Sequence, residues 1–144
     1  MKVSAWLPFR RLTGSGRFLR YDRALSAFEE TGKQQPQKIW EGVAGRAIHG
    51  EGLTLGLIEL EAGSVVPEHS HENEQLGIMI SGSVQFRVGD ETRELGPGDT
   101  WSIPANTPHE VHTGPEGAIM IDVFAPVRED WKPLERFDRA PLWP

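Results

Sequence analysis

Three histidines and one glutamine have the spacing of a metal site. His69 and His71 are two residues apart, so on an extended segment both side chains point to the same side, and Gln75 has the same phase. His109 comes later in the chain, after turn signals, where a β-barrel can return it to the same place. Imidazole nitrogens and an amide oxygen are accepted by zinc, iron, manganese and nickel. We therefore expect a divalent metal ion with open positions for a substrate, since such an ion is a Lewis acid.

A second group of functional residues is predicted near the C-terminus. Asp122 and Phe124 share one face of a predicted strand, and Arg128 follows at the mouth of the barrel. A carboxyl group in an apolar interior has a raised pKa, which suits a general acid or base. An arginine can hold a substrate carboxylate through two hydrogen bonds. A structural ion pair between Asp122 and an arginine, with Phe124 in the core, is the alternative that the sequence leaves open.

Length and composition limit the class of protein. The chain has 144 residues, which favours one domain, and it contains no cysteine, which excludes disulfides and thiolate ligands. Its net charge of −6 disfavours nucleic acid and anionic membranes as partners. The arginines between residues 10 and 23 are interpreted as a solvated arm. No apolar run is long enough to span a membrane, and we expect a cytoplasmic location.

The pattern of short strands predicts an all-β domain. Segments rich in β-formers alternate with glycine and proline turns, and no helical period lies between them. Hairpin turns are predicted at Ser81-Gly82 and Gly89-Asp90. The predicted strands are Lys38–Ala44, Arg46–His49, Leu53–Glu61, Gln75–Ser81, Ser83–Val88, Thr92–Leu95, Thr100–Ile103, Glu110–Thr113 and Gly117–Ala125.

Three segments are predicted around this domain. Residues 1–37 are an N-terminal arm that is mostly irregular, with a short helix at Tyr21–Glu30. Residues 38–127 form the barrel, and residues 128–144 form a C-terminal tail.

Apolar residues on both faces of one strand predict a second layer. Leu76, Ile78 and Ile80 lie opposite Gln75 and Met79. If Gln75 points into the barrel, the aliphatic row points outward and must be covered. We expect the cover to be a neighbouring subunit of a homodimer, and the N-terminal arm is the alternative.

The spacing of the histidines resembles the paired motifs of the cupin superfamily. The matching residues are Gly63-x5-His69-x-His71-x3-Gln75-x6-Gly82 and Gly98-x5-Pro104-x-Asn106-x2-His109. The resemblance implies an antiparallel double-stranded β-helix, the jelly-roll or cupin barrel, with a bound metal ion. The third ligand of this pattern is commonly glutamate, whereas this chain has Gln75. A neutral ligand leaves the full charge of the ion available to polarise an anionic substrate without redox change.

The chain is also similar to a narrower group, the small cupins called KdgF that act in pectin and alginate breakdown. The similarity rests on Glu74-Gln75-Leu76-Gly77 and on Asp122-x-Phe124-x-Pro126-x-Arg128-Glu129-Asp130. It implies an isomerase that linearises 4,5-unsaturated uronates, a sugar-acid substrate, His69, His71, Gln75 and His109 as ligands, and Asp122, Phe124 and Arg128 as site residues. Two alternatives remain: a metal-dependent dioxygenase of the quercetinase or diketone-cleaving kind, and a non-catalytic small-molecule-binding module.

Overall fold

Residues 27–142 are described by a computed structural model of the chain, and they form an antiparallel β-structure. This confirms the all-β prediction. The strands are β1 (Gln37–Trp40), β2 (Val43–His49), β3 (Thr54–Leu60), β4 (Val65–His69), β5 (Glu74–Val88), β6 (Glu91–Leu95), β7 (Thr100–Ile103) and β8 (His109–Ala125). Single 3-10 turns occur at Thr31–Lys33 and Glu129–Trp131.

Two long strands connect the whole sheet. β5 and β8 pair along their length, from Glu74 opposite Ala125 to Val88 opposite His109. β8 also pairs with β4 near its start and with β3 near its end, while β5 pairs with β6 and β7. Because β5 and β8 each pair with three strands, and the two halves of each have different neighbours, the sheet folds over and encloses an interior.

The predicted hairpin turn at Ser81-Gly82 is wrong, because the chain continues as one bent strand there. The pairing of β5 with β8 shifts between Met79 and Ser81 and again between Gly82 and Val84. Gly82 has a φ of +78°, and a Cβ on it would lie 1.9 Å from the Gly117 carbonyl oxygen. These irregularities bend β5 without ending it. The predicted turn at Gly89-Asp90 is confirmed, since it joins β5 to β6.

The interior of the barrel has the side chains that alternation predicts. Gln75, Met79 and Asp122 are buried, whereas Leu76 and Ile78 on the opposite face are 48% and 37% exposed. The apolar core consists of Val43, Ala47, Ile58, Leu60, Val66, Met79, Val84, Phe86, Ile103, Val111, Ala118, Met120, Phe124 and Trp131.

Part of the outer face is covered by segments that flank the barrel. Arg46 and Glu59 form a fully buried ion pair on neighbouring strands. The Arg46 guanidinium also donates to the carbonyl oxygens of Gln34 and Arg139, which belong to the two flanking segments. The flanking segments therefore cover β2 and β3, whereas Leu76 and Ile78 of the aliphatic row on β5 stay 48% and 37% exposed, and the homodimer remains a prediction.

The N-terminal predictions fall mostly outside the described residues. Residues 27–30 at the end of the predicted helix are not helical, and the remainder of Tyr21–Glu30 and of the arm is not among the residues described. Between residues 27 and 142, no helix has the length and apolar character that crossing a membrane would need. The segment boundaries at residues 37 and 127 remain predictions.

Candidate metal centre

The three predicted histidines converge inside one end of the barrel. His69 ends β4 and is the register partner of His109, which begins β8. His71 lies in the loop between β4 and β5, so the expectation that it shares a strand with His69 is wrong. The loop nevertheless places its ring beside the others, with ring centroids 5.0 Å from His109 and 5.8 Å from His69. Ring nitrogens of all three lie within 4.8 Å of one another.

Backbone carbonyl groups determine which nitrogen of each ring is free. The Nδ1 atoms of His69, His71 and His109 face the carbonyl oxygens of Pro67, Asn73 and Thr107 at 2.8, 2.9 and 2.8 Å. A carbonyl oxygen only accepts, so each Nδ1 must carry the proton and donate. The neutral rings then present the lone pair of Nε2, which is the form that binds a metal ion.

Two neighbouring acceptors give an independent test of whether a cation fits. The Nε2 atom of His71 lies 3.2 Å from the Oε1 atom of Gln75, and both atoms carry lone pairs in this arrangement. The Nε2 atom of His109 is buried without a hydrogen-bond partner. A cation placed between these three atoms would give each of their lone pairs a partner. The donor set therefore fits a divalent metal ion.

Burial keeps the three histidines neutral. Desolvation lowers the pKa of His69 and His71, and it lowers the pKa of His109 to about 4. The nearby positive charge of Arg128 acts in the same direction on all three. Near pH 7 the rings are therefore deprotonated and able to coordinate.

Asp122 adjoins the centre through Gln75. Its Oδ1 atom accepts a hydrogen bond from Gln75 Nε2 at 2.8 Å and another from Trp101 Nε1 at 2.9 Å. Burial raises the pKa of Asp122 to about 7 in spite of these two donors. Because both donors point at Oδ1, a proton held by this carboxyl group lies on Oδ2. The group can thus both hold and release a proton near neutral pH.

Arg128 lies in the same cavity, but it does not form the structural ion pair with Asp122 that the sequence leaves open. Its Nε and Nη2 atoms donate to the two carboxylate oxygens of Asp130 at 2.9 and 2.7 Å, so its ion pair is with Asp130 and not with Asp122. The guanidinium carbon lies 4.9 Å from the ring centroid of Phe124 and 4.6 Å from that of Trp131. The aromatic rings and Asp130 hold a buried positive charge beside the histidines.

The cavity at the centre is small. Its volume is about 40 Å³, which is room for an ion and about two water molecules. The polar groups that line it include His69, Gln75, His109, Asp122 and Arg128. Phe124 forms part of the wall and packs edge-on against His71, with centroids 5.6 Å apart.

Two tryptophans that the sequence does not predict as site residues also belong to this site. Trp40 lies with its ring centroid 4.7 Å from that of His69 and lines the cavity. Trp101 reaches Asp122 from β7. Gly77 lies opposite both Trp101 and Asp122 in the sheet and could indicate their contact, but this can be recognised only when the strand register is known.

Comparisons with known proteins agree with this architecture. Residues 56–124 match the family described as Cupin domain. The pectin degradation protein KdgF of Dickeya dadantii is 26% identical over 97 residues, covering 66% of this chain and 88% of that protein. The structure of KdgF from Halomonas sp. superposes with a TM-score of 0.68 at 26% identity, covering 74% of this chain and 98% of that one.

A larger enzyme matches over a shorter stretch. Oxalate decarboxylase of Bacillus subtilis is 30% identical over 79 residues, which is 51% of this chain but 20% of that protein. The match therefore concerns one part of a longer chain.

Proposed function

The chain is a small cupin that resembles KdgF, and from this premise we propose that it is a metal-dependent, non-redox enzyme that opens 4,5-unsaturated uronates. The observation that carries the proposal is the hydrogen bond between Gln75 and Asp122. It joins a neutral amide group, whose oxygen lies 3.2 Å from His71 Nε2, to a buried carboxyl group with a pKa of about 7. The proposed ligands are His69, His71, Gln75 and His109.

The chemistry of such a substrate needs a proton moved and a negative charge stabilised. When the hemiacetal of an unsaturated uronate opens, the hydroxyl on C1 loses its proton, the bond between C1 and the ring oxygen breaks, and an aldehyde forms. The former ring oxygen is left as an enolate on C5. Protonation at C4 then gives the 5-keto product, so that no atom is gained or lost. A bound divalent ion would supply Lewis-acid stabilisation of the developing oxyanion.

Different residues of this chain transfer the proton, bind the carboxylate and contact the sugar ring. Asp122 accepts the hydroxyl proton on Oδ2 and returns it to C4, a transfer that suits a group whose pKa lies near neutrality. Arg128 binds the substrate carboxylate through the N–H groups of its guanidinium that do not donate to Asp130. Phe124 supplies an apolar surface for the sugar ring. Trp40 lines the cavity with further apolar surface.

The size of the cavity sets a requirement on binding. A uronate ring is larger than 40 Å³, so only its reacting edge enters the cavity as it stands. Binding of the whole ring requires side chains that line the cavity to move, and half-buried Trp40 is the bulkiest of them. The same volume suits a smaller carboxylate, which supports the non-catalytic binding module as a second candidate.

The test uses purified protein loaded with metal ion and the unsaturated galacturonate and mannuronate monomers. Loss of the ultraviolet absorbance of the conjugated double bond, at equal rates with and without oxygen, is the expected result. Asp122→Asn is expected to abolish the signal. Absorbance that does not change with either monomer contradicts the proposal, and strict dependence on oxygen favours the dioxygenase. Binding of a small carboxylate such as oxalate, without any product, supports the binding module.

A further inference from the structure

We propose that Trp101 is a positioning residue for the carboxamide of Gln75. Its indole N–H fixes the Asp122 carboxylate, and that carboxylate determines which end of the Gln75 carboxamide faces the three histidines. The inference rests on the metal centre of the proposed function. It adds a residue from β7, a strand that supplies none of the proposed ligands.

The orientation of Gln75 matters because a carboxamide has two ends of nearly the same shape and opposite hydrogen-bonding character. The oxygen accepts, the NH2 group only donates, and a half-turn about the last side-chain bond exchanges them. With the oxygen toward His71 Nε2, as observed at 3.2 Å, the group can bind a cation. With the NH2 group there, its hydrogens would occupy the space of the ion. Something must therefore select one orientation.

The selecting atom is Oδ1 of Asp122. It receives Gln75 Nε2 at 2.8 Å and Trp101 Nε1 at 2.9 Å. An indole N–H has no acceptor capacity, so the hydrogen bond from Trp101 requires Oδ1 to be an acceptor. An acceptor at this position is matched by the NH2 group of Gln75 and opposed by its oxygen. Trp101 thereby directs the oxygen of Gln75 to the histidines.

The packing at Gly77 allows Trp101 to contact Asp122. Gly77 is the register partner of Trp101 on one side and of Asp122 on the other. A Cβ at Gly77 would lie 2.2 Å from the Trp101 ring and 2.4 Å from Asp122 Oδ1. The absence of a side chain lets the indole lie across β5 and reach the carboxylate. Phe86 packs against the far side of the ring, with centroids 5.2 Å apart.

The direct test is Trp101→Phe, which keeps an aromatic ring and removes the N–H. The Zn²⁺ dissociation constant is measured by competition with a chelator, and thermal unfolding of the metal-free protein checks the fold separately. We expect affinity to fall by about 10-fold, the lower end of the range seen when a residue bonded directly to a ligand is lost, because Trp101 acts on Gln75 only through Asp122. The same substitution is then made in a Gln75→Ala background, where no further loss is expected because the group being positioned is gone.

A pair of glycine substitutions provides a second test in case Trp101→Phe does not fold. Gly77→Ala crowds both Trp101 and Asp122 and should weaken Zn²⁺ binding. Gly56→Ala is the matched control, because Gly56 pairs with Asp122 from the other side and its added methyl meets Ile58 and Trp131 at 3.1 Å instead. This control should leave the Zn²⁺ affinity unchanged.

The outcomes separate this inference from the proposed function. Unchanged affinity in both Trp101→Phe and Gly77→Ala overturns the inference. An equal loss in the presence and absence of Gln75 also overturns it, because Trp101 then acts by packing alone. The expected pattern without turnover of any uronate supports the inference and contradicts the proposed function. Failure of the unaltered protein to bind Zn²⁺ overturns both.

Discussion

Gln75 donates a 2.8 Å hydrogen bond from Nε2 to Oδ1 of Asp122, while its Oε1 atom lies 3.2 Å from His71 Nε2. The two ends of one amide thus connect a proton-carrying group to the cluster of lone pairs. An ionised glutamate at position 75 would have no hydrogen to donate to Asp122. The hydrogen bond between the two positions therefore requires a glutamine at 75 when an aspartate is buried at 122.

Asp122→Asn separates orientation from proton transfer. The amide oxygen of asparagine can accept from both Gln75 and Trp101, so Zn²⁺ affinity should change by less than about threefold, within the context dependence of a retained hydrogen bond. Turnover of an unsaturated uronate should fall by about 100-fold or more, because the general acid and base is lost. Asp122→Ala is the comparison, and it should weaken metal binding as well. Full activity of Asp122→Asn contradicts the assigned role.

Gln75→Glu should destabilise the metal-free protein, and Asp122→Asn should reverse the effect. Two carboxylates then face each other in a buried site without a donor between them, which costs about 3 kcal/mol at pH 8. In the double variant the amide at 122 can donate to the glutamate. Chemical denaturation of the four proteins without metal measures the coupling. Additive effects of the two substitutions would show that the residues do not act together.

The proposed ligands can be predicted from the sequence. The hydrogen bonds that join Gln75, Asp122 and Trp101 cannot, because they depend on strand register. The spacing of His69, His71 and His109 placed them in one site, although His71 reaches it from a loop. The sequence predicts a turn at Gly82 and two separate strands in place of β8, because a glycine with positive φ, such as Gly82 or Gly117, occurs both in turns and in bent strands. The contact of Trp101 with Asp122 crosses from β7 past β5 to β8, and no local pattern encodes it.

Metal affinity should decrease as the pH falls below about 6. A proton and a metal ion compete for each Nε2 lone pair, and burial lowers the pKa of His69 and His71 and that of His109 to about 4. Because these values lie below that of a free imidazole, the affinity should be nearly constant from pH 8 to 6.5 and fall progressively toward pH 4. Zn²⁺ dissociation constants measured across this range test the prediction. A constant affinity down to pH 4 would exclude imidazole ligands.

The ion pair between Arg46 and Glu59 should be important for stability. Both side chains are fully buried, with Nη1 and Oε1 2.6 Å apart, so Arg46→Met leaves a carboxylate without its counter-charge. We expect a loss of about 3–5 kcal/mol in the free energy of unfolding. Arg93→Met is the control, because its ion pair with Glu91 is exposed and should contribute less than about 1 kcal/mol. Similar losses in the two variants would contradict the special role of the buried pair.

Substitution of Arg128 should separate substrate binding from metal binding. Arg128→Leu removes the buried guanidinium proposed to hold the substrate carboxylate, and loss of a charged hydrogen bond of about 1.5–3 kcal/mol raises KM by about 10- to 100-fold. The same change removes a positive charge that acts on all three histidines, so Zn²⁺ affinity should stay equal or increase. Steady-state kinetics and chelator competition measure the two effects. Lys132→Met, which breaks an exposed ion pair with Glu129, is the nearby control and should change neither. A parallel loss of metal and substrate binding in Arg128→Leu would show that the arginine supports the fold of the site instead of recognising the substrate.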